Sequence, residues 1–220
     1  MNIGLIINAI KLGGIWMIPI LTCLVFGLAI AFERLYVIAV RSNMNGTEMM
    51  KKVRDSIYSN KIEDAIKICQ NEEQNGKALP VVLKAGLTKA NRTDTEIEAA
   101  LDQATLEVFP KLQKRTPYLS MIANVATLSG LLGTIIGLIQ AFEAVAEAAP
   151  DQKQKMLARG ISVAMYTTAG GLVVAIPVLV LNSFVVNLTT KIMDDIDRYA
   201  AECLNLLRAR KLQSSATESK

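Results

Sequence analysis

Three stretches without a charged side chain constrain this sequence more than any other feature: Leu12 to Phe32, Thr116 to Phe142 and Gly160 to Thr190, of 21, 27 and 31 residues. A helix rises about 1.5 Å per residue, so roughly 20 apolar residues cross a hydrocarbon core about 30 Å thick. A buried helix of a water-soluble domain rarely needs more than about 14. In lipid the backbone must satisfy its own polar groups, so each window is expected to be helical. The hydrophobic content of 51% lies near the ordinary range of about 45–50%; its concentration into three blocks is what matters. The sequence therefore predicts an all-α integral membrane protein with three transmembrane helices.

Lys and Arg near span ends mark the cytoplasmic side. Arg34, Arg41, Lys111, Lys114, Arg115, Lys191 and Arg198 flank one side, against Lys11, Lys153, Lys155 and Arg159 on the other. The expected organisation is an external segment 1–12, a first span 13–39, a cytoplasmic helical loop 40–115, a second span 116–144, a short external loop 145–159, a third span 160–190, and a cytoplasmic amphipathic helix with a disordered end over 191–220. Long helices would project into the cytoplasm. Lys11 is the only positive charge before the first span and no A-x-A-like site follows, so that span is expected to be retained, not cleaved as a signal.

Several function classes fall away. Lys+Arg and Asp+Glu are nearly balanced at 24 and 20, and no basic cluster alternates with aromatics, so nucleic acid is not an expected partner. Histidine is absent, and Cys23, Cys69 and Cys203 form no C-x-x-C pair. Asp194, Asp195 and Asp197 could suggest a metal site, but a solvated helix face explains them. No P-loop, nucleophile elbow or zinc spacing occurs. No enzyme active site, metal or cofactor is expected.

In the loop, Asn60 with Glu63 and Thr93 with Glu96 have capping-box spacing. The helices they would open carry Ile62, Ala65, Ile66 and Cys69, then Ile97, Leu101, Leu106 and Phe109. Pro110 and Pro117 either bend or end a helix, and the sequence leaves both open. Pro177 is expected to kink the third span. Beyond it, Ile192, Ile196, Tyr199, Cys203 and Leu206 form one stripe.

The second and third spans each carry a seam of small residues: Ala126, Gly130, Gly133, Gly137 and Ala141, and Gly160, Ala164, Thr168, Gly171 and Ala175. Such seams let helix backbones approach in lipid, and tight packing alone would explain them. Polar residues run beside them: Ser120, Asn124, Thr127, Ser129 and Thr134 on the second span, Ser162, Thr167, Thr168, Asn182 and Ser183 on the third. Polar side chains inside a membrane tend to face a bundle interior or a water-filled cavity. Thr127, Thr134, Thr167 and Thr168 are thus candidates for an ion pathway. No Asp, Glu, Lys, Arg or His lies within the windows, so a proton route would need a carboxylate from a partner helix. Glu33 and Arg34 close the first span and would form an interfacial charge pair, with Arg41 as the alternative cation.

Three stretches carry a resemblance. They are GGIWMIPILTCLVFGLAIAFERLYVI at Gly13–Ile38, LSGLLGTIIGLIQAF at Leu128–Phe142 and GISVAMYTTAGGLVVAIP at Gly160–Pro177. In this order the chain resembles the MotA/TolQ/ExbB proton-channel family, and its ExbB/TolQ branch most closely. The resemblance implies a pentamer in the bacterial inner membrane, with the external side in the periplasm, around two copies of a single-span ExbD/TolR-like protein carrying a membrane aspartate. It implies H+ as the driving ion, with Na+ the alternative, and transmission of work to a TonB-like or TolA-like protein. Thr134 and Thr168 match the family's pore-lining threonines. Val163 stands where many members carry glutamate, and Leu128-Ser129 where many have Ala-Pro. A non-conducting structural scaffold is the competing expectation from another class.

Overall fold

The computed structural model describes residues 14–42, 46–73 and 76–218. Among them there is no strand. A 3-10 turn (Gly14–Trp16) leads into α1 (Met17–Tyr36), which runs into a π-helical segment (Val37–Ser42). Then come α2 (Gly46–Tyr58), α3 (Ile62–Glu73), α4 (Leu79–Thr88), α5 (Asp94–Gln113), α6 (Thr116–Glu147) and α7 (Pro150–Glu218). The expected segment 1–12, including Lys11, lies outside the described residues. Three helices are long and apolar enough to cross a membrane, so the all-α, three-span expectation holds.

The chain divides into two compact units, one of residues up to Glu33 with Arg115–Phe184, the other of Arg34–Lys114 with Val185 onward. The first contains α1 through Glu33, α6, and α7 through Phe184. Its outward faces carry Phe26, Phe32, Leu128, Ile139, Val173 and Ile176, all exposed. Water-soluble monomers rarely expose contiguous apolar surface on this scale; a hydrocarbon solvent removes the cost.

The second unit is built like a soluble helical domain. Its core takes Met49, Val53 and Ile57 from α2, Cys69 from α3, Val82, Leu83 and Leu87 from α4, Ile97, Leu101, Val108 and Leu112 from α5, and Ile196, Tyr199, Cys203 and Leu207 from α7. These recur at helical spacing, so each helix presents one apolar stripe. Burying each large aliphatic side chain contributes roughly 1.5–3 kcal/mol. The stripe expected on the tail is confirmed, with Ile196, Tyr199, Cys203 and Leu206 buried and Ile192 partly so. Leu106 corrects the α5 expectation, because it is 71% exposed. Five residues past Leu101 it has turned off the stripe, which continues through Ala104 and Val108.

Helix ends follow local chemistry. Thr93 accepts from the Glu96 amide at 3.3 Å while the Glu96 carboxylate accepts from the Thr93 amide at 3.0 Å, the capping box expected. Asn60 does the opposite of what its spacing suggested. It sits at φ 58° past the end of α2, with the Asn60 amide on the Ile57 carbonyl and the Lys61 amide on the Ser56 carbonyl. That is a Schellman cap, in which asparagine tolerates the left-handed conformation.

The prolines divide. Pro110 lies inside α5, whereas the chain breaks at Lys114 and Arg115, and Pro117 falls in the first turn of α6, where its missing N–H is no loss. Pro177 sits inside α7 without ending it. Of the expected loop 145–159, only Ala148 and Ala149 separate the helices, and α7 runs on to Glu218. Adding residues to an existing helix is cheap once it is nucleated, and no Gly or Pro interrupts the stretch after Pro177.

Candidate functional site: the seam of α6 and α7

The two small-residue seams meet in antiparallel register. A Cβ placed on Gly171 would lie 2.7 Å from the Ala126 carbonyl oxygen and 3.2 Å from the Gly130 Cα. One on Gly130 would lie 3.0 Å from the Thr167 carbonyl oxygen, and one on Gly137 would lie 3.2 Å from the Ala164 Cβ. Gly160 faces Ala141 at the other end. Ala126, Ala141, Ala164 and Ala175 are buried. Around Gly130 and Gly171 backbone meets backbone with room for hydrogen only, whereas Gly137 and Gly160 face alanine side chains. Lipid gives no hydrophobic reason for helices to associate, so this close packing is the source of attraction.

The four candidate threonines have separate environments. Thr167 is 1% exposed, donates to the Ala164 carbonyl at 2.7 Å, and has its Cβ and Oγ1 against Gly133. It is a packing residue. Thr168, next in sequence, is half-buried and donates across the seam to the Gly130 carbonyl at 3.2 Å. Thr134 is partly exposed and donates to the Leu131 carbonyl at 2.6 Å. Thr127 donates to the Ala123 carbonyl at 3.0 Å. Thr127 and Thr134 are seven residues apart, two turns, and share one face of α6. Each of these hydroxyls spends its single proton on a backbone carbonyl, so what remains is acceptor capacity.

Contacts that spacing did not reveal bring α1 to the same site. The Trp16 Cβ lies 3.1 Å from where a Gly133 side chain would begin, and the Met17 sulfur 3.0 Å from that of Gly170. Gly27 faces Val178 and Ile122. Thus one glycine of each partner helix is also met from the first segment, Gly133 by the 3-10 turn and Gly170 by the start of α1. Trp16 at the start of the first apolar window was the available signal.

The expected Glu33–Arg34 pair is resolved differently. The Arg115 guanidinium donates one nitrogen to both Glu33 carboxylate oxygens, at 2.6 and 2.7 Å. Arg115 holds φ 64° and precedes α6 as its N-cap, with no side-chain cap hydrogen bond. Arg34 is only 4% exposed and belongs to the other unit, where it donates to the Leu112 carbonyl at 2.6 Å. That carbonyl is in the last turn of α5, where backbone acceptors lack helical partners.

The model of the MotA/TolQ/ExbB proton channel family matches residues 70–198. The chain is 32% identical over 173 residues to the putative biopolymer transport protein ExbB-like 3 of Synechocystis, covering 76% of this chain and 78% of that protein. It is 27% identical over 196 residues to a putative biopolymer transport protein ExbB homolog of Methanothermobacter thermautotrophicus, covering 89% and 67%. A shorter match, 38% over 78 residues, covers 36% of this chain and 34% of the Tol-Pal system protein TolQ of Haemophilus influenzae. With the seam, the three spans and these relatives together, the chain is a multi-pass membrane protein of the MotA/TolQ/ExbB proton channel family, in its ExbB/TolQ branch.

Proposed function

We propose that this chain is the channel-forming subunit of an ion-driven motor in the bacterial inner membrane, acting with an ExbD/TolR-like single-span partner. It would energise outer-membrane transport, envelope maintenance or motility through a TonB-like or TolA-like protein. The N-terminus lies in the periplasm and the C-terminus in the cytoplasm in this reading, and the working oligomer is a pentamer. It carries out no enzymatic reaction and needs no cofactor beyond the ion that passes.

The observation that carries the reading is the hydroxyl of Thr168 bridging to the Gly130 carbonyl beside a seam without acidic or basic side chains. A proton route through such a surface needs a carboxylate from outside the chain. With their protons committed to backbone, Thr134 and Thr168 offer lone pairs, which suit a protonated carboxyl or hydrated cation as donor. A hydrogen bond to the neutral form of an acid favours that form. The partner's carboxyl would accordingly be most comfortable against these threonines when it is neutral.

One observation favours a second reading, a non-conducting scaffold: all four threonine hydroxyls are already satisfied within the chain. Reconstitution separates the two. The protein, co-purified with its partner and placed in vesicles, should pass H+ or Na+ in a manner that depends on the partner's aspartate. Thr134→Val and Thr168→Val should cut that flux while native mass stays at five copies of this chain to two of the partner. Normal flux in both variants would remove the assigned pathway, and absence of flux in the parent complex would leave the scaffold.

A further inference from the structure

The half-exposed Arg115 is one of two described non-glycine residues at positive φ, with Asn60. Asparagine takes that conformation readily; arginine does not. Arg115 also occupies the N-cap of α6, where its carbonyl accepts from the Tyr118 amide at 3.2 Å but its side chain makes no capping hydrogen bond. What it has is Glu33, with one guanidinium nitrogen 2.6 and 2.7 Å from the two carboxylate oxygens. Glu33 lies 82 residues away, near the C-terminal end of α1. From Thr116 onward the chain is continuous helix to the seam, and a helix carries rotation and translation along its length. A change of backbone conformation at Arg115 therefore turns or shifts every small residue that α6 presents to α7. A glycine seam is intolerant of such a shift, because Gly130 and Gly171 meet at backbone atoms.

We propose that Glu33 and Arg115 are positioning residues: their ion pair holds Arg115 in the left-handed conformation that starts α6, and so sets the register of α6 against α7. This role goes beyond the ion-driven reading and does not depend on ions passing.

Its test reads register directly. Gly137 and Ala164 face each other, with a built Cβ 3.2 Å from the Ala164 Cβ, near the separation a disulfide spans. Full-length protein in membranes, carrying Gly137→Cys and Ala164→Cys, is oxidised, and the cross-linked fraction over time is read by peptide mass analysis. Glu33→Gln should slow cross-linking about fivefold, the scale on which an unsupported left-handed residue is lost. Arg115→Gly should cross-link at the parent rate, since glycine adopts this backbone without help. Adding Glu33→Gln to Arg115→Gly should then change nothing. The reversed pair, Glu33→Arg with Arg115→Glu, should recover much of the rate lost in Glu33→Gln, which guards against simple misfolding. An unchanged rate in Glu33→Gln overturns the proposal. So does an equal loss from Glu33→Gln with or without Arg115→Gly, or a slow Arg115→Gly variant. Because the readout needs no ion flux, failure of the motor reading would leave it intact, and its own failure would leave that reading standing.

Discussion

At the scale of single residues, neighbouring positions with the same side chain play different parts. Thr167 and Thr168 are adjacent, yet one is sealed against Gly133 and the other bridges to the Gly130 carbonyl. Gly170 and Gly171 divide in the same way. A methyl on Gly171 would press on the Ala126 carbonyl oxygen and Gly130 Cα, which are backbone, whereas on Gly170 it would meet the flexible end of Met17. Gly171→Ala should therefore destabilise the detergent-solubilised protein by about 1–3 kcal/mol, the usual cost of overpacking, and Gly170→Ala by distinctly less. A thermal melt of the two variants checks the order, and equal losses would contradict it. The cysteines give a second residue-scale expectation. Burial pushes the Cys69 and Cys203 thiols up to about 12, so little thiolate exists near neutrality, and thiolate is the reactive form. A maleimide at pH 7.5 should leave both unlabelled until denaturant is added. Rapid native labelling of either would show that the core around it opens.

At the scale of elements, helix ends decide more than helix interiors. Thr93→Ala removes one half of the capping box on α5 and should cost about 1 kcal/mol, read as a lower melting temperature. Asn60→Gly and Asn60→Ala both remove the side-chain oxygen that accepts from Arg210 at 2.8 Å, but alanine also carries the full cost of a left-handed Cβ, so Asn60→Ala should lose more stability than Asn60→Gly. The start of α6 is a balance of comparable quantities. Holding Arg115 at φ 64° costs about 1–2 kcal/mol. A half-exposed ion pair returns about 0–1 kcal/mol in water, which offsets only part of that cost and leaves the pairing open to competition. Capping at Thr93 was legible in sequence because its partner is three residues away. The roles of Asn60 and Arg115 were not, because a positive φ is set by the path the chain must take and by partners far along it.

At the scale of the whole molecule, the two units answer to different solvents. The unit built from α2 to α5 and the end of α7 has an apolar core and a charged surface. Arg208 and Lys211 on α7 pair with Asp94 on α5 at 3.2 and 2.8 Å, and Arg54 on α2 pairs with Glu202 on α7. The Lys211 hydrogen bond holds the Asp94 carboxyl below its ordinary 3.8, and the Thr93 amide holds that of Glu96 below its ordinary 4.5. A depressed folded pKa means stability that is present above the ordinary value and lost as pH falls through the lower, folded one. Asp197 runs the other way: burial raises its pKa, with Asp194 and Asp102 adding to it, so its penalty eases on acidification. Glu48 is lowered too, by its hydrogen bond from Lys52, so three lowered carboxyls stand against the one raised, and this unit is expected to lose stability in acid below about pH 4. Stepped acidification with limited proteolysis should show cleavage between residues 46 and 113 appearing in that range. Cleavage independent of pH would mean that these pairs contribute nothing.

The sequence by itself determined the three spans, both small-residue seams, the Thr93 cap and the tail stripe. Each is a local matter of hydrophobicity or 3.6-residue spacing, which needs no knowledge of what lies opposite. The uncharged windows also determined that no Asp, Glu, Lys, Arg or His of this chain stands within them. Tertiary structure decided which of two adjacent threonines is buried, that Trp16 and Met17 reach the seam, and that Glu33 takes Arg115 as partner. Those outcomes depend on how three helices rotate about their own axes when packed, and a rotation is fixed only by contacts between residues distant in the chain.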